Sequence, residues 1–262
     1  MYRYRQIIKA GILALCLLLA FAVKSAALLH EERSKPPEFY AAFEETPETS
    51  DDPDATGEAE TAPKADSFQP PEILREIKEL REIYQNPEIV GFLEVEGTRI
   101  KYPVVRHRDN DFYLTRDLRG ADARGGSIFM DYENRLDTLD QNTVIYGHNM
   151  KDGSMFHDLR KYKDPAFFEK HRSVRLTTPY ARTVWEVAAF MNTPIDLNYI
   201  QVYFPEGEGF AALLAEIKRR AAYDTGVTLS PEDRILNLST CTGSPAEGGK
   251  RYVLCARLVS EE

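Results

Sequence analysis

The chain has 262 residues, 43% of them hydrophobic, and a formal net charge of −9. That is enough for one large domain or two small ones, each with a sizeable core. Three cysteines are too few for a disulfide framework, and no basic patch with interleaved aromatics argues for nucleic acid.

The charge is unevenly placed. Residues 1–29 carry four basic side chains and no acid. Arg3, Arg5 and Lys9 precede an apolar run at 10–23, which is the length of a signal-peptide core. Counted over 7–29 the run is long enough to span a bilayer, with Lys9 and Lys24 reaching to the interfaces. In either reading the positive flank stays inside and the rest of the chain is exported. Residues 30–71 hold twelve acidic side chains against three basic ones and few large apolar residues. Such a segment cannot bury enough surface to offset its ordering entropy, and it reads as an acidic disordered stalk. The folded domain is expected at 72–262.

That domain opens with a helix over 72–84, where Ile73, Ile77, Leu80 and Tyr84 share a face, and Asn86-Pro87 ends it. Short runs of strand-forming residues follow at 90–95, 98–105, 126–130, 143–146, 173–178 and 182–192, punctuated by Gly, Pro, Asn and Asp. Ser154 fits an N-cap for a helix over 155–161, and a second short helix is expected at 165–170. Phe210, Leu213, Leu214 and Ile217 fall at i, i+3, i+4 and i+7, predicting a longer helix over about 209–222. Strands at 235–241 and 251–259 close the chain. The class is mostly β: an eight-stranded mixed barrel with inserted helices.

Along the last strand, Tyr252, Leu254, Ala256 and Leu258 share the face expected to turn inward. Arg251, Val253, Cys255 and Arg257 share the other. Cys241 ends the preceding strand, so Arg251 is placed beside it, while His148 stands in a Tyr-Gly-His-Asn turn at 146–149. A free thiol, with a pKa of about 8.5, is mostly protonated at neutral pH. A nearby cation favours the thiolate, and an imidazole can carry the proton. Together the three groups suffice for acyl transfer through a thioester. Histidine preceding cysteine argues against papain-like folds. Taken singly, each residue has a plainer reading: a buried strand cysteine, a turn histidine, an exposed arginine. Only their conjunction carries the assignment.

Cys255 reads as a packing residue. It lies four residues beyond Arg251, roughly 13 Å along the strand, too far for a bridge to Cys241 that needs Cα atoms within about 7 Å. His157 reads as half-buried packing, His107 and His171 as surface residues, and His30 as lying at the membrane exit. No Cys, His and carboxylate cluster has metal-ligand spacing.

Thr-Val-Ile-Tyr-Gly-His-Asn-Met-Lys-Asp-Gly-Ser-Met-Phe (143–156), Leu-Ser-Thr-Cys (238–241) and Arg251 resemble the signature of class B sortases. Asn-Pro-Glu-Ile-Val-Gly-Phe (86–92), Ile-Lys-Tyr-Pro-Val-Val (100–105) and Gly-Ser-Ile-Phe-Met-Asp (126–131) are similar to that family's opening strands. The likeness covers about 72–259. It implies a membrane-anchored cysteine transpeptidase of the Gram-positive cell surface, with 1–29 as an uncleaved anchor and no cofactor or metal. Its substrates would be secreted proteins bearing an Asn-Pro-x-Thr-type sorting signal near the C-terminus. Cys241 would attack the Thr carbonyl. His148 would protonate the leaving amine and deprotonate the incoming one. Arg251, with the backbone N–H of Thr242, would stabilise the oxyanion or orient the peptide. The acceptor would be an amine of a cell-wall peptide or a pilin lysine. Asn110, Leu114, Tyr199, Ile200 and Ser239 match the family's substrate contacts, although Leu114 alone reads as core. One departure stands out: the family often has an acid just after the cysteine, where this chain has Thr242-Gly243-Ser244.

Two other readings stay open. An L,D-transpeptidase or cysteine hydrolase would want His and Gly before the cysteine and Arg two residues after; Ser239, Thr240 and Gly243 do not fit. A non-catalytic tethered surface module would keep Cys241 as a structural thiol.

Overall fold

A computed structural model describes residues 71–136, 139–194, 196–205, 208–241 and 249–261. The first element is α1 (Arg75–Tyr84), followed by strands β1 (Ile89–Val95) and β2 (Lys101–Val105) and a 3₁₀ turn (Phe112–Leu114). Next come β3 (Ile128–Met130), β4 (Asn142–Tyr146), a 3₁₀ helix (Phe156–Lys163) and α2 (Pro165–Lys170). The remainder is β5 (Ser173–Thr177), β6 (Arg182–Thr193), α3 (Glu208–Arg220), β7 (Ile235–Cys241) and β8 (Arg251–Glu261). The strands close into a barrel in the order β1-β2-β3-β4-β7-β8-β6-β5. Two neighbouring pairs, β2–β3 and β4–β7, are parallel and the other contacts are antiparallel, so the expected mixed barrel is what forms.

Strand alternation sorts the side chains. Val104, Ile128, Ile145, Leu238 and Leu254 fill the interior with Trp185, whose indole N–H donates to the Thr183 hydroxyl at 2.7 Å. On β8, Tyr252, Leu254 and Ala256 join that inner cluster, while Val253 and Cys255 face out beneath α3. The apolar stripe of α3 (Phe210, Leu213, Leu214, Ile217) buries itself there against Ala189 and Met191. A third cluster, on the outside of β1, β2 and β3, is covered by Leu80 and Tyr84 of α1.

Several boundaries shift from expectation by one to three residues, and three of the differences have a clear local reason. The first helix starts at Arg75, not 72; Leu74 precedes it and offers no side-chain cap, and its N–H is held instead by the Pro179 carbonyl at 2.7 Å. The second strand starts at Lys101, because the Thr98 hydroxyl donates to the Val95 carbonyl and accepts from the Ile100 N–H, making a turn. Ser154 is not an N-cap. Its hydroxyl donates to the Asp152 carboxylate at 2.6 Å, and the element that follows is a 3₁₀ helix headed by Met155 at φ 55°.

Candidate active site

Cys241 is the last residue of β7 and Arg251 the first of β8, and their Cα atoms are ladder partners. On its other side β7 runs parallel to β4, with Tyr146 opposite Ser239. The Gly147 N–H extends this pairing by donating to the Ser239 carbonyl at 3.2 Å. Partners across this ladder are 93 residues apart, as Tyr146 is from Ser239. His148 and Cys241 have the same separation. Continued two residues past its last pair, the ladder therefore brings position 148 level with position 241. All three sequence-predicted residues stand at one end of the barrel.

His148 is half-buried, and its Nε2 lies 2.8 Å from the Leu114 carbonyl oxygen. A carbonyl only accepts, so Nε2 carries the proton and, in the neutral ring, Nδ1 is left as the base. Behind the turn, the His148 carbonyl accepts from the Phe156 N–H at 2.9 Å. Arg251 is also half-buried, and its Nη1 donates to the carbonyls of Gly249 (3.0 Å) and Lys250 (3.3 Å). That leaves further guanidinium donors for a substrate oxygen. Thr242 lies outside the described residues.

The "Sortase domain" family profile matches residues 93–259. Sortase B of Listeria monocytogenes is 40% identical over 190 residues, covering 72% of this chain and 76% of that protein. Sortase B of Staphylococcus aureus is 35% identical over 174 residues, covering 66% and 71%. A solved S. aureus sortase B–substrate complex superposes with a TM-score of 0.67 at 33% identity, covering 72% of this chain and 87% of that one.

The chain belongs to the sortase B family. As a member it is a cysteine transpeptidase acting at the cell wall, which displaces both the L,D-transpeptidase-like reading and the non-catalytic one.

The five sequence-predicted peptide contacts of this sortase divide into two kinds. Leu114 and Ile200 are open to solvent, at 36% and 44% exposed, which corrects the core reading of Leu114. It escapes the core because it ends a 3₁₀ turn on the barrel's outside. Asn110, Tyr199 and Ser239 instead bond the protein itself. The Asn110 amide donates to Asp131 at 3.0 Å and accepts from the Tyr132 N–H at 3.1 Å. The hydroxyls of Tyr199 and Ser239, both residues buried, are 2.8 Å apart.

The sequence reading missed two polar pairs, one partly and one fully buried, that involve the strands leading to His148 and Cys241. Tyr146 donates to the buried Asp131 carboxylate at 2.7 Å. Burial and then the Asp131 charge push the Tyr146 hydroxyl well above the usual phenol range, so it stays a donor. Asn142 and Asn237, both fully buried, form a second such pair. An asparagine inside an otherwise apolar strand is the signal that could have found them.

The other described histidines make structural contacts. His157 is half-buried, as expected, with Nδ1 2.8 Å from the Asn149 Oδ1. Burial, then Arg160, lowers its pKa. His107 and His171 are not surface residues. His107 pairs with Glu88 at 2.7 Å and stacks on Phe112, while His171 tucks beneath Gly97 and against Phe167. Glycine at 97 is needed for that approach, since any Cβ would collide with the imidazole. Cys255 is a free, fully buried thiol, as expected. Among the described residues no group of three or more His, Cys, Asp and Glu could hold a metal. No described helix is long and apolar enough to cross a membrane; residues 1–29, as well as 30–70 with His30, lie outside the described residues.

Proposed function

We propose that this sortase cuts an Asn-Pro-x-Thr-type sorting signal after the Thr and joins the Thr carbonyl to an amine through a Cys241 thioester. The observation that carries the reading is the shared 93-residue offset of the β4–β7 ladder and of the His148–Cys241 pair. The β7–β8 register, which sets Arg251 opposite Cys241, supports it further. The Cys241 thiolate attacks the Thr carbonyl carbon, and the resulting oxyanion is met by the Arg251 guanidinium and the Thr242 N–H. On collapse the C–N bond breaks, and protonated His148 gives its proton to the departing amine. The incoming amine loses a proton to His148, attacks the thioester and releases the thiolate. Water can take the amine's place.

Leu114 and Ile200 supply apolar contact to the bound signal, while Asn110, Tyr199 and Ser239 frame the cleft. The acceptor is a cell-wall peptide amine or a pilin lysine, and the donor is a secreted protein. Residues 1–29 anchor the enzyme with the domain outside the cell, at the end of an acidic stalk. The S. aureus relative described as a substrate complex supports peptide binding by this fold.

The test incubates the protein with an Asn-Pro-x-Thr peptide and an oligoglycine amine, with products read by mass spectrometry. A ligated product from the wild type and none from Cys241→Ala is the expected outcome. Ligation by Cys241→Ala would remove the nucleophile assignment.

A further inference from the structure

The segment from Leu197 to Phe204, between β6 and α3, exposes Ile200 and Tyr203 to solvent while Leu197, Tyr199, Val202 and Phe204 are buried. The carbonyls on either side of Ile200, those of Tyr199 and Gln201, both accept from one side-chain nitrogen. The Asn142 Nδ2 donates to them at 2.7 and 2.8 Å. The Asn142 Oδ1 in turn accepts from the Asn237 Nδ2 at 2.9 Å. Both amides are fully buried, and the Asn237 Oδ1 finds no partner among the described residues. A buried acceptor left unpaired is a cost that an apolar side chain at 237 would avoid. Packing alone therefore does not account for this pair.

Within the segment, the Tyr199 N–H donates to the Leu197 carbonyl, Asn198 to the Gln201 side chain, and Gln201 to the Tyr203 carbonyl. These bonds tie the residues of the loop to one another. We propose that Asn142, oriented by Asn237, is a positioning residue that clamps this loop and so sets where Ile200 meets the sorting peptide. Asn142 and Asn237 sit on the two parallel strands that bring His148 and Cys241 level. The clamp thus fixes the specificity loop to the same strand pair that holds the chemistry. The inference rests on Ile200 contacting the peptide, as proposed above.

The test uses Asn142→Ala and the milder Asn142→Ser, which keeps a single donor. The readouts are peptide KM and kcat, the rate of Cys241 modification by a small thiol reagent, and hydrogen exchange of the loop amides. A loop held competent in about a tenth of molecules raises KM about tenfold. That rise is expected in Asn142→Ala, a smaller one in Asn142→Ser, with thiol modification unchanged and the Tyr199 and Gln201 amides exchanging faster. Discrimination among peptides of different apolar size should narrow. Unchanged KM and loop exchange in either folded variant would overturn the clamp. Wild-type exchange decides if neither variant folds: the Tyr199 and Gln201 N–H groups, bonded within the held loop to Leu197 and Asn198, should exchange more slowly than in an unstructured peptide, and exchange at the unstructured rate overturns the clamp. The exchange arm needs no substrate, so a peptide that the wild type fails to cleave counts against the proposed function alone.

Discussion

Cys241 and Arg251 are the final Cα partners of the β7–β8 ladder. Cross-strand partners have Cβ atoms about 5 Å apart and side chains on one face. In the proposed mechanism a cation in that place would do two things at once: favour the thiolate and meet the oxyanion.

Replacing Arg251 with Lys should therefore be far from conservative. One guanidinium nitrogen, Nη1, already serves the Gly249 and Lys250 carbonyls, leaving the rest of the planar fork for substrate. An ammonium is a point donor that cannot hold those carbonyls and also present a fork. A loss of about 100-fold in kcat/KM is expected for Arg251→Lys, of the order seen on deleting one oxyanion donor. Peptide cleavage kinetics check this, alongside thermal melting, which should barely move. Wild-type turnover would make Arg251 a structural residue.

The two thiols of the domain should behave oppositely. Cys255 is completely buried, and burial pushes its pKa up to about 12. Alkylation of the native protein near neutral pH, followed by peptide mapping, should mark Cys241 and spare Cys255. The Cys255 thiol also predicts an alkaline weakness. An unfolded thiol ionises at about 8.5, so the stability this group contributes is intact below that pH. It is lost progressively as pH rises toward the folded value. Cys255→Ala should flatten that part of the melting-temperature profile; an unchanged slope would assign it to the buried tyrosines.

Most of the barrel was legible because alternation is a local signal. The last strand's inward set and the apolar stripe of α3 follow from periods of two and 3.6, and β7 occupies the span expected for it. The family was legible because the histidine turn, the cysteine strand and Arg251 carry scarce side-chain types in a recognisable order. What stayed hidden depends on partners distant in sequence. Asn237 meets Asn142 across 95 residues, and Asn142 meets the loop 57 residues on. No window around either asparagine contains the group it bonds. Leu114 and His107 were misjudged for a related reason. Their exposure is set by the 3₁₀ turn and by Phe112 and Glu88, not by their own hydropathy.

Gly126 ties the backbone of the 3₁₀ turn to the histidine. It adopts φ +55°, and a Cβ there would lie 2.5 Å from the Leu114 carbonyl oxygen, the atom that His148 bonds. Gly126→Ala must strain the backbone or push that carbonyl aside. Pushing it aside frees the imidazole to change tautomer. The expected result is a fall in kcat, with peptide KM rising as well because the displaced Leu114 contacts the signal, together with a melting temperature lower by several degrees. Unaltered kcat in the folded variant would mean that the Leu114 carbonyl does not orient His148.

Asp158 anchors the segment that follows the histidine turn. Its side chain is only 4% exposed and receives the Arg99 N–H and guanidinium at 3.0–3.2 Å, with the Lys161 ammonium at 3.0 Å. Burial alone would raise its pKa, but Arg99 and Lys161 outweigh it and hold the carboxyl well below the usual range. The folded pKa is depressed, so the contribution to stability is present above the unfolded value of about 3.9 and is lost as pH falls below it. Asp158→Asn keeps the shape and removes the charge, leaving two cations facing a neutral amide. Both cations are substantially exposed, so losing the charge costs about 1 kcal/mol, read as a lower urea midpoint at neutral pH. The same variant should lose less stability than the wild type on acidification, because the titrating group is gone. Equal acid sensitivity in the two proteins would place the acid-labile carboxylates elsewhere and leave Asp158 a hydrogen-bond acceptor whose charge is immaterial.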